Sequence, residues 1–555
     1  LAPDLPQIKP EMITLTQPFS FLGRTISGPF TIPSGIMTTA SPIIQYVIDN
    51  MPQVGVITTK SIGPIPRTGN REPIMTQYAP GCFMNAVGLT NPGAEEAAEQ
   101  LAGLDLPEDR FLLTSIFGGT VDEIVAVAKV LAPVSHGLEL NLSCPHAKGY
   151  GMAMGQDAEL VREIVAAVKA AVDIPVIPKL TPNVPNIGEI AAAAEAGGAD
   201  GIFAIKTVAP AYYTAHGSPV LTNKLGGMSG KGILPIGLKC VSEIREATDL
   251  PIIGCGGISN AEDIEAFADA GASIFGVGSA LTGLTSEEVA TYFETLSGDL
   301  EGRTNRGADT TRYDVPMGFT PYTLVSNAKV CDDITVLNFD GKLNIQGGEF
   351  VFIWIPGLGE KPFSALTDDP FRLVVINVGE FTEQLMDLPA GTQVYVRGPY
   401  GQAMTPSSDK KVMAVAGGTG LAAVYQIARD HGDAEVFLGA RSSDRLYFKS
   451  ECAEIAAVHV ATDDGSEGFH GVVTELLEKR LVEMDDAELQ SLVFYNCGPS
   501  PMVHAAEAVQ RRFVGDDQIF SAIDYLTKCG VGICGACYSP DGRRICVDGP
   551  FITNL

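Results

Sequence analysis

Positive charge is scarce in this 555-residue chain, where 37 Lys and Arg stand against 66 Asp and Glu for a formal net charge of −29. Nucleic acid needs a basic footprint on its partner, so it is excluded as an expected ligand. The acidity instead points to solubility or a salty cytoplasm. Long apolar runs are also missing. None reaches the roughly 20 residues of a membrane span, which predicts no membrane partner and a cytoplasmic location. The N-terminus, L-A-P-D-L-P-Q-I-K-P, lacks a charged-then-apolar signal pattern; it also lacks an initiator Met, which leaves room for a removed segment. The 11 cysteines are too few for a disulfide scaffold at this length. No internal repeat or low-complexity tract occurs. What remains is a hydrophobic fraction of 45% with 19% charged residues, the composition of a folded protein. The length implies about three or four domains.

Four of the cysteines are informative. Cys529, Cys534 and Cys537 lie in C-G-V-G-I-C-G-A-C, with Cys546 following. The C-x4-C-x2-C…C spacing is that of a plant-type [2Fe–2S] cluster. A zinc site more often shows two separated C-x2-4-C pairs, and a disulfide pair needs an oxidising compartment. Such a cluster moves single electrons, so a donor and an acceptor are expected elsewhere in the chain. Cys82, Cys240, Cys255, Cys331, Cys452 and Cys497 read as small buried apolar residues.

The first 300 residues alternate apolar runs with Ala-rich helical stretches. The runs begin at Gly28, Val54, Phe111, Gly137, Pro175, Gly201, Pro251 and Ser273. Eight such strands separated by helices predict a closed (β/α)8 barrel. Chemistry in that fold sits at the C-terminal strand ends, which places Ser34, Lys60, Asn141, Cys144, Lys179, Lys206 and Thr207 there. Glycine turns at Gly256–Gly257 and Gly278–Ser279 follow strands seven and eight, where barrels commonly bind phosphate. Lysines are costly to bury unpaired, so Lys60 and Lys179 favour a bound anionic or polar partner.

Residues 301–315 are polar and read as a linker. Alternating strands from Tyr322 to Gly401 predict a small antiparallel barrel. From Lys411 the α/β alternation returns, with G-G-T-G at Gly417, Gly418 and Gly420 placed between a strand and a helix. That is a phosphate-binding arrangement, weak alone.

Several segments carry a resemblance. M-N-A-V-G-L-T-N-P-G from Met84, N-L-S-C-P-H from Asn141, P-K-L-T-P-N from Pro178 and G-G-M-S-G from Gly226 to Gly230 resemble dihydroorotate dehydrogenase. The barrel of dihydropyrimidine dehydrogenase shares the S-C-P-H form. The resemblance implies FMN, held by Ser34, Lys60, Ser61, Asn141, Lys179, Gly230, Gly256, Gly257, Gly278 and Ser279. It implies a pyrimidine touched by Asn85, Gly88, Leu89, Asn141, His146, Lys206 and Thr207. Cys144 takes the catalytic-base position, with Lys60 in the same catalytic set. A base is needed because oxidising dihydroorotate removes a proton from C5 while a hydride leaves C6. Two positions depart from the family, which usually has Asn where this chain has His146 and Lys206. Lysine only donates hydrogen bonds and brings a charge, so the ring recognised is left open between orotate and another heterocycle such as uracil.

The second half resembles the iron–sulfur flavoprotein subunit that partners the NAD-linked class, within the ferredoxin-reductase-like group. Lys361, Pro362, Phe363 and Ser364 match its FAD-binding strand. Gly379 and Thr382 in G-E-F-T-E-Q-L, and Gly398 and Gly401 in R-G-P-Y-G, match flavin and pyrophosphate contacts. G-A-R-S from Gly439, T-D-D-G-S from Thr462 and C-G-P-S-P-M from Cys497 strengthen the dinucleotide assignment, though T-D-D-G-S alone could be an acidic turn. The resemblance implies one circuit from NAD(H) through FAD and the [2Fe–2S] cluster to FMN and the ring. The expected α/β chain is thus 1–300 FMN barrel, 301–315 linker, 316–406 FAD-binding β-barrel, 407–515 NAD-binding α/β domain and 516–555 cluster domain. A homodimer through the barrel is expected by analogy. A reductase of uracil or a related ring, and an electron-transfer module serving a partner protein, remain as alternatives.

Overall fold

The computed structural model describes residues 19–142, 154–302 and 311–553. Two compact units emerge. The first holds residues 1–315 with 532–543, and the second holds 316–531 with 544–555.

The first unit is built on eight strands: β1 (Phe30–Thr31), β2 (Val56–Thr58), β3 (Phe111–Ile116), β4 (Gly137–Asn141), β5 (Val176–Leu180), β6 (Ile202–Ala204), β7 (Ile252–Cys255) and β8 (Ile274–Gly276). They pair in parallel in chain order, and β8 closes on β1. All eight match the apolar runs in the sequence. The helices between them start at polar caps. The side chains of Thr120, Asp157, Asn186, Asn260 and Thr285 each accept a backbone N–H of the first turn, satisfying donors that have no partner within the helix. Helix Ala158–Lys169 buries Val161, Ile164, Val165 and Val168, the i, i+3, i+4, i+7 stripe that packs a helix on a sheet.

Strand side chains alternate between faces, and this alternation divides the barrel interior into two layers. Val56, Phe111, Leu113, Ile177, Phe203, Ile253 and Ile274 form an apolar lower layer with Phe21 and Ile26. Those last two belong to a short hairpin, Phe19–Phe21 and Arg24–Ile26, and Phe21 meets Phe111 edge-on at 5.2 Å. Two residues further along the same faces come Thr58, Ser115, Glu139, Lys179 and Cys255. The polar layer therefore lies at the C-terminal strand ends. Insertions after β2 and β6 add a four-stranded antiparallel sheet of Met75–Ala79, Cys82–Asn85, Leu225–Gly230 and Val208–Tyr212. Residues 311–315, the described end of the stretch read as a linker, are tied to this unit. Gly81 N–H donates to the Tyr313 carbonyl (2.8 Å), and Arg312 pairs with Glu288 (2.5 Å).

The second unit contains a seven-stranded antiparallel sheet ordered Gly359–Phe363, Phe350–Ile355, Gln393–Tyr400, Thr320–Cys331, Ile334–Phe339, Phe371–Ile376 and Ala365–Asp368. Its two edge strands are joined through Ser364 alone, so the sheet must curl until its edges meet, giving the expected small barrel. Leu324, Leu337, Val351, Ile353, Leu373, Val375, Val394 and Val396 fill it. A six-stranded parallel sheet follows: Phe469–His470, Ala457–Thr462, Ala434–Ala440, Lys411–Gly417, Leu492–Cys497 and Ile519–Ala522. Of the cysteines read as buried, Cys240 and Cys452 are so, whereas Cys82, Cys255, Cys331 and Cys497 are only partly covered. Among the described residues no helix is long and apolar enough to cross a membrane.

Candidate active site

A hydrogen-bonded chain runs through the polar layer of the barrel and on to the strand ends. Lys179 Nζ lies 3.4 Å from Glu139 Oε2 and 3.2 Å from Ser34 Oγ, over the Phe203 ring at 3.9 Å. Ser115 Oγ donates to Glu139 Oε1 at 2.6 Å. Ser61 and Ser115 hydroxyls are 2.8 Å apart. Asn141 Nδ2 donates to Ser61 Oγ at 2.8 Å, and Lys206 Nζ donates to Asn141 Oδ1 at 3.2 Å. Glu139 is fully buried, and Lys179 is 2% exposed. Burying either charge alone would cost several kcal/mol, so each needs the other. Lys60 is also buried, and its backbone N–H donates to the Thr38 carbonyl (2.8 Å).

The structure thus brings together Ser34, Ser61, Asn141, Lys179 and Lys206. Through this contact Lys206 turns toward Asn141. Asn85 ends its insertion strand opposite Met75 and Gly227, with Gly88 and Leu89 in the buried loop beyond. Among the described residues no hydrogen bond ties these three into the chain around Asn141. Thr207 is half-buried, and its carbonyl accepts from Asn183 Nδ2 (3.3 Å). Cys144 and His146 lie outside the described residues. Glu139 and Ser115 were missed in the sequence. The signal was there for Glu139: a carboxylate inside G-L-E-L-N, sharing a strand face with Asn141.

Glycines shape the rim. Gly257 has φ +87°, and a β-carbon there would lie 2.8 Å from the Gly230 carbonyl oxygen; one at Gly230 would collide with the Gly81 carbonyl. Gly278 and Ser279 open a short 3-10 turn, Ser279–Leu281, and both are half-buried.

In the second unit the strand order reverses at Lys411–Gly417, the position where open α/β sheets bind ligands beyond their C-terminal ends. Gly417–Gly420 meets Cys497–Gly498 there. A β-carbon at Gly420 would strike the Cys497 carbonyl, and one at Gly498 would lie 2.9 Å from the Gly417 carbonyl oxygen. At Gly418 a β-carbon would meet nothing within 4 Å, so that turn faces open space at the start of helix Leu421–His431. T-D-D-G-S forms a turn closed by Asp464, whose carboxylate accepts from Ser466 N–H (2.9 Å) and Oγ (2.6 Å). Arg441 beside it is exposed.

The flavin motifs of the small barrel divide. Lys361, Pro362, Phe363 and Ser364 are half-buried along the edge strand. Thr382 is spent on its own helix start, accepting from Val378 and Gly379 N–H (2.9 and 3.1 Å). Gly401 donates its N–H to the Cys546 carbonyl (3.1 Å), so that group is engaged within the protein rather than free for a pyrophosphate. A β-carbon at Gly398 would lie 3.3 Å from the Phe350 carbonyl oxygen, which makes this glycine a packing requirement. The fully buried Glu360 receives Arg397 through Nε (2.8 Å) and Nη2 (2.5 Å). Arg397 Nη1 also reaches Tyr400 Oη (2.6 Å) and the Cys529 carbonyl (3.0 Å). Burial opposes the Arg397 charge, but Glu360 and Tyr400 beside it more than restore it, holding its pKa above the ordinary range.

Cys529 and Cys546 belong to the second unit, Cys534 and Cys537 to the first. All four are buried. Cys534's carbonyl accepts from Thr39 Oγ1 (2.9 Å), and Met37 N–H donates to the Ile533 carbonyl (2.7 Å).

Comparison with known proteins places residues 18–291 in the family Dihydroorotate dehydrogenase. The chain is 43% identical over 260 residues to the dihydroorotate dehydrogenase B (NAD(+)) catalytic subunit of Pyrococcus horikoshii, covering 47% of this chain and 84% of that protein. The chain belongs to the dihydroorotate dehydrogenase family. The corresponding subunit of Methanocella arvoryzae is 41% identical over 271 residues, 49% of this chain and 87% of that protein. Residues 414–508 match an oxidoreductase NAD-binding domain. Residues 526–554 match the iron–sulfur cluster binding domain of dihydroorotate dehydrogenase B. These matches imply FMN in the barrel, FAD and NAD(H) in the second unit, and an iron–sulfur cluster.

The residues present fit those groups. The glycine turns of the dehydrogenase barrel leave backbone where a phosphate is expected, and cysteine thiols are the ligand type an iron–sulfur cluster takes; among the described residues no three or more potential metal ligands are grouped together. The crevice at Gly417–Gly420 suits a dinucleotide. Substituting Ala at Gly420 is therefore expected to push the turn away from Cys497. The expected loss is about 1–3 kcal/mol of stability, with at least tenfold weaker dependence on NADH in stopped-flow flavin bleaching. Unchanged bleaching at low NADH would remove the crevice from the dinucleotide site.

Proposed function

We propose that this chain is an NAD-linked dihydroorotate dehydrogenase of pyrimidine biosynthesis, carrying its electron-transfer half in the same polypeptide. The observation that carries it is the buried chain from Lys179 to Lys206 at the barrel's C-terminal end, within a family defined by that chemistry. When bound, the flavins exchange hydrides with the ring and the nicotinamide while the cluster passes single electrons.

The chain's own residues bind, orient and move one proton. Asn141 presents its amide to the ring edge, fixed from one side by Ser61 and from the other by Lys206. Lys179, neutralised by Glu139, supplies a donor toward the FMN site together with Ser34. Lys60, Ser61, Gly230, Gly256, Gly257, Gly278 and Ser279 complete the FMN-holding set, and Asn85, Gly88, Leu89, His146 and Thr207 the ring-binding set. Cys144 takes the C5 proton as the hydride leaves C6. In the second half, 316–406 binds FAD, 407–515 binds NAD(H) and 516–555 holds the cluster on Cys529, Cys534, Cys537 and Cys546. The protein works in the cytoplasm as a homodimer through its barrels.

The test uses the holoenzyme, bleached anaerobically with NADH. Orotate is expected to restore the oxidised flavin spectrum within seconds, and uracil to leave it bleached. Restoration by uracil alone would overturn the assigned ring. Restoration by neither would reduce the chain to an electron-transfer module.

A further inference from the structure

We infer that residues 311–315, the stretch leading out of the barrel, act as a strap that braces both phosphate-side turns, with Tyr313 and Arg312 as positioning residues for FMN. This rests on the proposed function, because it takes Gly230, Gly256, Gly257, Gly278 and Ser279 as holders of that cofactor.

A polar stretch of this kind is expected to be a loose tether. Here its contacts converge on two places. The first is the turn after β7, where Gly256 and Gly257 run on to Ser259. Tyr313 reaches it by two routes. Its ring lies on Gly81, where a β-carbon would come within 2.6 Å of Cδ1. Its carbonyl accepts from Gly81 N–H (2.8 Å) and from Gln77 Nε2. The Gly81 carbonyl in turn accepts from Lys231 N–H (3.0 Å). The same carbonyl lies against Gly230, whose own carbonyl lies against Gly257. Gly81 is thus pinned between the strap and the cradle glycines.

The other route runs through side chains. Lys231 Nζ donates to Asp263 Oδ2 (2.7 Å) and Ser259 Oγ (3.1 Å), and the Tyr313 hydroxyl stands 3.4 Å from the same Ser259 oxygen. Ser259 Oγ gives its proton to Asp263 (2.8 Å), so Tyr313 is the donor in that contact. The distance is long for an O–H···O bond. The ring of Tyr313, more than its hydroxyl, therefore does the bracing.

The second place is the turn after β8. Gly278 and Ser279 open it, and Gly283 lies at its far end. Arg312 Nη1 donates to the Gly283 carbonyl (2.6 Å), and a β-carbon at Gly283 would lie 2.9 Å from Val315 Cγ1. Backbone turns bind phosphate by holding N–H groups in a fixed array. One short segment supports the far side of both arrays, so their pre-organisation depends on it.

The experiment follows flavin release from diluted holoenzyme, with FMN and FAD separated by chromatography. Y313A is expected to release FMN about 10-fold faster than wild type, the low end of what outer partners of a bound group contribute. FAD release should stay unchanged. Added FMN should refill the site in Y313A, which a collapsed barrel would not allow. Y313F keeps the ring and is expected to stay within about threefold of wild type. R312M acts on the other turn alone and is expected to speed FMN release by about two- to tenfold, the range of one hydrogen bond. Wild-type FMN release from Y313A, equal loss of FMN and FAD, or failure to refill would overturn the strap. A wild-type holoenzyme that holds FAD and no FMN would instead overturn the cofactor assignment beneath it.

Discussion

Replacing Cys144 with Ala is expected to slow dihydroorotate oxidation by about 10²- to 10⁴-fold, the usual contribution of a positioned general base. The thiolate is the only group assigned to take the C5 proton. The substitution leaves the rest of the circuit alone. Bleaching of FAD by NADH should therefore continue at the wild-type rate, because the nicotinamide end lies in the matched domain at 414–508. Two stopped-flow traces check this, one started with NADH and one with dihydroorotate. The assignment predicts a split between them. Loss of both rates together would show that Cys144 supports the fold rather than the reaction. With a thiolate base, wild-type oxidation is expected to rise with pH as the thiol ionises, and the slow oxidation left in the variant should lack that rise.

The second large effect is expected at Arg397. Its guanidinium is 1% exposed and forms a two-bond pair with Glu360, which is fully buried. It also stacks over Phe352 at 4.0 Å. Substituting Met keeps the volume but removes the guanidinium paired with the buried Glu360 carboxylate, a change that costs about 3–5 kcal/mol. It also removes the donor that holds the Cys529 carbonyl (3.0 Å). Amide hydrogen exchange should show the loss locally, in strands Phe350–Ile355, Gly359–Phe363 and Gln393–Tyr400, because protection reports the free energy of opening each region. Iron content per chain is expected to fall with it. Unaltered protection in those strands would mean that Glu360 had found another partner or a proton. The double substitution of Glu360 to Gln and Arg397 to Met should recover part of the loss, since both charges of the pair are then removed together.

These two predictions draw on different layers of information. Cys144 was legible from N-L-S-C-P-H alone, a local motif after a strand. Arg397 was legible only as part of R-G-P-Y-G, and its expected setting was a flavin contact. The fold gives it another task, because strand pairing brings Glu360 and Arg397 together across 37 positions. Gly401 was likewise read as a pyrophosphate contact, yet its N–H reaches Cys546. Short motifs record which residue types are present. They do not record which backbone groups are already engaged by a distant segment.

Local pattern alone set the eight barrel strands, the Ala-rich helical stretches between them, the small antiparallel barrel, the G-G-T-G turn and the cysteine spacing. Each depends on periodicity or on neighbours within a few residues, and such interactions act whatever the rest of the chain does. Only the tertiary structure decided that Glu139, Ser115, Ser61, Asn141 and Lys206 form one directed chain. Those residues lie on four different strands or strand ends, with bonded partners separated in sequence by 24, 54, 80 and 65 positions. Alternation assigns each side chain to a face, but closure of the barrel and the register between strands set which faces meet at which height.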